Sequence, residues 1–152
     1  KAAQIRDQIA NLKRVKYEQH VMGAKGNIDL LANASDGPTA CVQAIYFREG
    51  RNVGSRSFFP RNRAEVGPDA VLSAFIIQYY SGRDLPSELV VDRDFSDREL
   101  LSRVLGERAG RPVRILHRPR GDKARWLAMA RTNAESALVS HLAGRSGMSE
   151  RM

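Results

Sequence analysis

Two well-separated aspartates and a dense run of arginines are the residues of this chain whose types and spacing could do chemistry. Asp29 lies within the short apolar run Asn27-Ile28-Asp29-Leu30-Leu31-Ala32, and Asp92, with Asp94 beside it, follows Glu88-Leu89-Val90-Val91. Carboxylates on the first and fourth strands of a mixed sheet could hold two Mg²⁺ or Mn²⁺ ions about 4 Å apart and hydrolyse a phosphodiester. Such a site needs a third ligand, and Val71 to Tyr80, the first helical stretch after the opening strands, carries no acid. Aspartate at the end of a strand is also ordinary turn chemistry. Cys41 is the single cysteine and sits in an apolar run, so it reads as a buried, inert thiol. His20, His117 and His141 lie far apart, without the spacing of a zinc site.

The cationic signal is stronger. The formal net charge is +8, and between Arg108 and Arg131 eight Lys or Arg face only Asp122, a local +7. Arg118 and Arg120 precede Gly121-Asp122-Lys123, where the start of a helix would offer backbone N–H groups and a favourable dipole to an anion. Arg114, Lys123 and Arg125 would complete a phosphate cradle. Two alternatives stay open: Arg118 to Arg125 could be neutralised internally by Asp92, Asp94 and Asp97, or the patch could meet a membrane headgroup or an acidic protein. Trp126, one turn inside the helix, is placed for the core rather than for stacking on bases. A second basic stretch runs from Phe47 to Pro60, where Arg48, Arg51 and Arg56, with Arg61 and Arg63 just beyond, outweigh Glu49 and leave +4. It suits either a polyanion or a solvated sheet edge. The candidate DNA contacts are therefore Arg51, Arg56, Arg114, Arg118, Arg120, Lys123 and Arg125.

The elements that would position these groups follow from periodicity and punctuation. At 152 residues and 42% hydrophobic, the chain suits one ordinary domain with an appendage. Ala2, Ile5, Ile9 and Leu12 form a narrow apolar stripe on an N-terminal helix within 1–22. That stripe needs cover from a partner helix or from the domain that follows. A break at Gly23 to Gly26 leads to the run containing Asp29, and Ala40 to Phe47, the turn Glu49-Gly50 and Val53 to Phe59 form a hairpin, so three strands make an antiparallel meander. Gly67-Pro68-Asp69 opens a helix that ends at Ser81-Gly82, and Glu88 to Val91 is a strand. Ser96-Asp97-Arg98-Glu99 reads as a capping box opening a helix to Gly110. Val113 to His117 alternates as a strand, and Asp122 caps a long helix carrying Trp126, Leu127, Ala130, Ala134 and Leu138. The fold class is α/β: a three-strand meander followed by helix, strand, helix, strand, helix over 27–143, the order of an RNase H-like domain, with a tail at 144–152. No apolar run approaches the ~18 residues needed to cross a bilayer.

Several separated blocks resemble the UvrC family of excinuclease proteins. They are Phe47 to Pro60, then Tyr79-Tyr80-Ser81-Gly82-Arg83-Asp84-Leu85-Pro86, and Arg120-Gly121-Asp122-Lys123-Ala124-Arg125-Trp126-Leu127. Lys1 to Ile9 is similar to the second helix of the family's UVR motif. The resemblance covers nearly the whole chain and implies the family's central region, from the UVR motif to just before the C-terminal nuclease domain. Neither the GIY-YIG motif nor the motif opening that nuclease domain occurs in the sequence. The resemblance thus implies a non-catalytic RNase H-like module of a cytoplasmic excision repair nuclease, with no cofactor of its own. Mg²⁺ or Mn²⁺ would serve the nuclease domains. It implies UvrB as partner through Ile5, Ile9 and Leu12, and damaged duplex DNA as ligand. The alternative is a metal-dependent RNase H-like nuclease using Asp29 and Asp92.

Overall fold

The computed structural model describes residues 26–151, with side chains through residue 145. The expected N-terminal helix, and with it Ile5, Ile9 and Leu12, lies outside the described residues. Strands β1 (Ile28–Asp36), β2 (Thr39–Arg48) and β3 (Arg51–Phe58) form the antiparallel meander. Helix α1 (Pro68–Tyr79), strand β4 (Glu88–Val91), helix α2 (Arg98–Ala109), strand β5 (Arg114–Leu116) and helix α3 (Asp122–Arg151) follow. The strands line up as β3-β2-β1-β4-β5, with β4 and β5 parallel to β1. This is the α/β architecture that the element order implies.

β1 is central, and its first six residues are buried, so side chains of both parities meet protein. Leu31, with Leu89 and Val91 of β4, packs against α1 and α2 through Leu72, Ile76, Leu101 and Leu105. On the other face, Leu30, Ala32 and Val90 meet Trp126, Leu127 and Ala130 of α3. Trp126 sits edge-on to Phe47, ring centroids 5.0 Å apart, and is a core residue as its position in the sequence suggests. Further along α3, Ala134 and Leu138 cover Cys41, whose thiol burial pushes up to about 11. Among the described residues no helix is long and apolar enough to cross a membrane.

Three local features differ from expectation. β1 extends beyond Ala32 to Asp36, because β2 pairs with it as far as Asp36 and Thr39 and the turn shrinks to Gly37-Pro38. The β2–β3 turn places both Glu49 (φ 53°) and Gly50 (φ 80°) in the left-handed region, where the sequence suggests a single permissive residue. Two-residue hairpin turns matching the strand twist require positive φ at both positions. The turn is held from outside, since the Glu49 N–H donates to Asn27 Oδ1 and the Gly50 N–H to the Gly26 carbonyl, each at 3.3 Å. The capping box before α2 does not form: Asp97 is the N-cap residue and makes no side-chain cap hydrogen bond. The nearby carboxylate of Asp94 instead accepts the Phe95 N–H at 2.9 Å and the Arg98 Nε–H at 2.7 Å.

Candidate nucleic-acid interface

The two aspartates that the sequence pairs do not meet. In the β1–β4 register Asp29 lies beside Leu89, three residues before Asp92, which is about 10 Å of strand. They also face different layers. Asp29 is 1% exposed and turns toward α1, where Oδ1 accepts from Arg48 Nη1 at 2.7 Å and Oδ2 accepts the Tyr80 hydroxyl at 2.5 Å. Burial and the neighbouring Asp29 hold the Tyr80 phenol well above its ordinary range. Both oxygens of Asp29 are thus consumed by structure.

Asp92 directly follows β4 and is reached by Arg131 from α3. Its Oδ2 accepts the Asn33 N–H at 3.2 Å and lies 3.7 Å from each of the guanidiniums of Arg93 and Arg131. Arg131 also donates to the Asp92 carbonyl at 3.0 Å. Burial raises the Asp92 pKa, opposed by the Asn33 N–H and the two arginines. Asn33 of β1 thus meets Asp92 through its backbone N–H alone, while its side-chain amide donates to the Pro68 carbonyl at 2.7 Å. Asn33 Oδ1 and Asp92 Oδ1 are buried without a hydrogen-bond partner in the structure. Two such oxygens, with two arginines already against the carboxylate, do not fit a divalent metal pair. Among the described residues no three His, Cys, Asp or Glu side chains are grouped to hold a metal. Nothing in the sequence marks Asn33 or Arg131 as neighbours of Asp92, because strand register is a tertiary property.

The basic segment divides by partner. Lys123 Nζ lies 2.8 Å from Glu88 Oε1, and Arg125 pairs with Asp122 in the first turn of α3. The helix start proposed as a phosphate cradle thus already holds a carboxylate of its own, with Arg125 upon it. Arg114, Arg118 and Arg120 are exposed and make no side-chain hydrogen bond or ion pair among the described residues. Internal neutralisation does not reach them: Asp92 takes Arg93 and Arg131, while Asp94 takes Arg98 and, at 3.9 Å, His117. Asp94 is held below its usual range, chiefly by the Arg98 hydrogen bond.

Arg51 and Arg56 lie on β3, the opposite edge of the sheet from β5. Four inter-strand spacings, about 19 Å, separate them from Arg114. Among the described residues the candidate cations therefore lie at two edges rather than in one patch. Both Arg51 and Arg56 are exposed, and Arg56 lies over the Phe58 ring at 4.8 Å.

Comparison with known proteins agrees with this architecture. A family model described as the UvrC Ribonuclease H-like domain matches residues 27–141. The chain belongs to that family. It is 45% identical over 152 residues to the UvrABC system protein C of Methylococcus capsulatus, covering 100% of this chain and 25% of the relative. The protein of the same description from Alkalilimnicola ehrlichii is 42% identical over 139 residues, 91% of this chain and 23% of the relative. That from Yersinia pestis is 41% identical over 155 aligned residues, 99% of this chain and 25% of the relative. The chain thus spans about a quarter of the length of these relatives. The catalytic domain of human endonuclease V superposes with a TM-score of 0.32 at 17% identity, over 57% of this chain and 47% of that one, a likeness too slight to bear on chemistry.

Proposed function

We propose that this UvrC-family segment is the DNA-engaging, non-cleaving centre of a cytoplasmic nucleotide excision repair nuclease. It links the two incision domains, contributes to UvrB binding and holds damaged duplex DNA at the β5 edge. The observation that carries the reading is the set of exposed, unpaired guanidiniums of Arg114, Arg118 and Arg120, left free while nearby acids are satisfied by other cations. Free guanidiniums at the surface exchange condensed counterions on DNA for direct phosphate contact. Support for the absence of cleavage comes from the carboxylates: Asp29 is sealed by Arg48 and Tyr80, and Asp92 accepts the Asn33 backbone N–H and has two arginines against it. The UvrB contact rests on Ile5, Ile9 and Leu12, whose truncation to Ala is expected to remove co-purification with UvrB.

The test is fluorescence anisotropy of the 152-residue chain on a labelled duplex carrying a bubble, titrated from low to physiological salt. Native chain should bind with a steep salt dependence, and Arg118→Ala/Arg120→Ala should lower the slope of log K against log salt by about 1.8, the value for two lost phosphate contacts. An unchanged slope sinks the DNA reading of this edge. Incubating the same duplex with Mg²⁺ or Mn²⁺ should leave it uncut. Cleavage that disappears in Asp92→Asn would reinstate the enzymatic alternative.

A further inference from the structure

A second basic and aromatic surface lies around the end of β3, with α1 on one side and the far part of α3 on the other, at the sheet edge opposite Arg114. A hollow of about 470 Å³ is lined by Phe58, Phe59, Phe75 and Tyr79 with Gln78 and Arg83. A neighbouring hollow of about 350 Å³ shares Phe59 and Pro60 and is lined by Arg61, His141 and Arg145. The two hollows meet at Phe59 and Pro60, and among the described residues no carboxylate lines either.

Two pairs of rings stack flat. Phe75 and Tyr79 stack at 5.2 Å and 12°, and Phe58 leans on both at 5.1 and 5.0 Å. Phe59 stacks on His141 at 4.0 Å and 11°, yet remains 36% exposed. The Arg83 guanidinium lies over the Tyr79 ring at 4.4 Å, and Arg56 over Phe58 at 4.8 Å. Guanidiniums held this way present a planar cationic face to the next flat group. Planar stacking surfaces beside free cations, with no acid to repel a phosphate, are what an unstacked nucleotide requires. A duplex keeps its bases inside and offers these hollows only its backbone.

We propose that the two hollows bind unpaired bases of single-stranded DNA, with Phe59 and the Arg83 guanidinium, backed by Tyr79, stacking on bases and Arg61 and Arg145 holding the flanking phosphates. A peptide without acidic side chains would leave these cations without a counter-charge, and an acidic one would offer no bases to the flat faces of Phe59 and Arg83. This site is separate from the duplex surface at β5, and each is tested by its own probe.

The experiment compares three labelled probes on the 152-residue chain by anisotropy: a dodecamer of thymidine, an abasic strand of the same length and charge, and a duplex. The thymidine strand should bind about tenfold or more tightly than the abasic one, as expected when bases add stacking to the charge contacts. Phe59→Ala and Arg83→Ala should each weaken thymidine-strand binding by about fivefold or more, with duplex affinity unchanged and, for the exposed Arg83, no change in melting temperature. A strand carrying 2-aminopurine should be quenched by the native chain and less so by Phe59→Ala. Arg118→Ala/Arg120→Ala should lower duplex affinity and leave the thymidine-to-abasic ratio intact, so failure at one edge is distinguishable from failure at the other. Equal binding of thymidine and abasic strands, or native-like binding by both variants, overturns the proposal and leaves the hollows as a protein-facing surface.

Discussion

Asp29 gives its two oxygens to the Arg48 guanidinium and the buried Tyr80 hydroxyl. Replacing it with Ala strands that phenol and the cation, and should cost about 3 kcal/mol in a denaturant melt. Asp92 is in the opposite position. Because burial raises its folded pKa above the unfolded value, the folded state binds more protons than the unfolded one in the window between the two values. Stability is therefore lost as pH rises through that window. Asp92→Asn removes the buried charge and leaves two arginines that are 37% and 50% exposed and able to hydrate. It should melt higher than native at pH 7, with the difference closing as pH falls toward 4. Equal melting temperatures at pH 7 would show that Arg93 and Arg131 fully offset the desolvation. One acid is a structural necessity and the other a cost, a distinction invisible in two Asp letters 63 positions apart.

The β2–β3 turn shows what an element demands of its residues. Glu49 occupies positive φ, which a side chain with a Cβ reaches at a cost of roughly 1–2 kcal/mol, less for Asn. Glu49→Asn supplies the Asn-Gly pair preferred in such turns and should stabilise the chain by about 0.5–1 kcal/mol, read from the denaturant midpoint at unchanged m-value. The order of elements was legible because apolar runs of clear period are separated by Gly23 to Gly26, Gly67-Pro68, Ser81-Gly82 and Gly110. Where a local motif competed with other side chains it misled: Ser96 to Glu99 has the letters of a capping box, yet the Asp94 carboxylate takes Arg98 instead. Arg118 and Arg120 were legible as cations without acidic partners because few acids lie near them in the sequence. The contact of the Asn33 N–H with Asp92 was not legible, since only the pairing of β1 with β4 brings it about. Phe59, Tyr79 and Arg83 were separate words in the sequence, and the hairpin's return past α1 makes them one surface.

At the scale of the whole molecule, the sheet separates two cationic edges by its full width. Arg51 and Arg56 share no partner with Arg118 and Arg120, so their effects on duplex affinity should add. The quadruple Ala variant is expected to lose the sum of the two double variants' losses in binding free energy within about 0.5 kcal/mol. A clear excess over that sum would mean that one duplex engages a single edge at a time. Helix α3 spans the sheet from Trp126, over the start of β1, to Leu138, which covers Cys41. That one thiol is the chain's only cysteine, fully enclosed, and unreactive while its pKa stays near 11. It is consequently a clock: its reaction rate with an aromatic disulfide reagent counts how often the far half of α3 lifts from the sheet. Slowing of that clock on loading with DNA would report the tightening of the helix without any label being introduced.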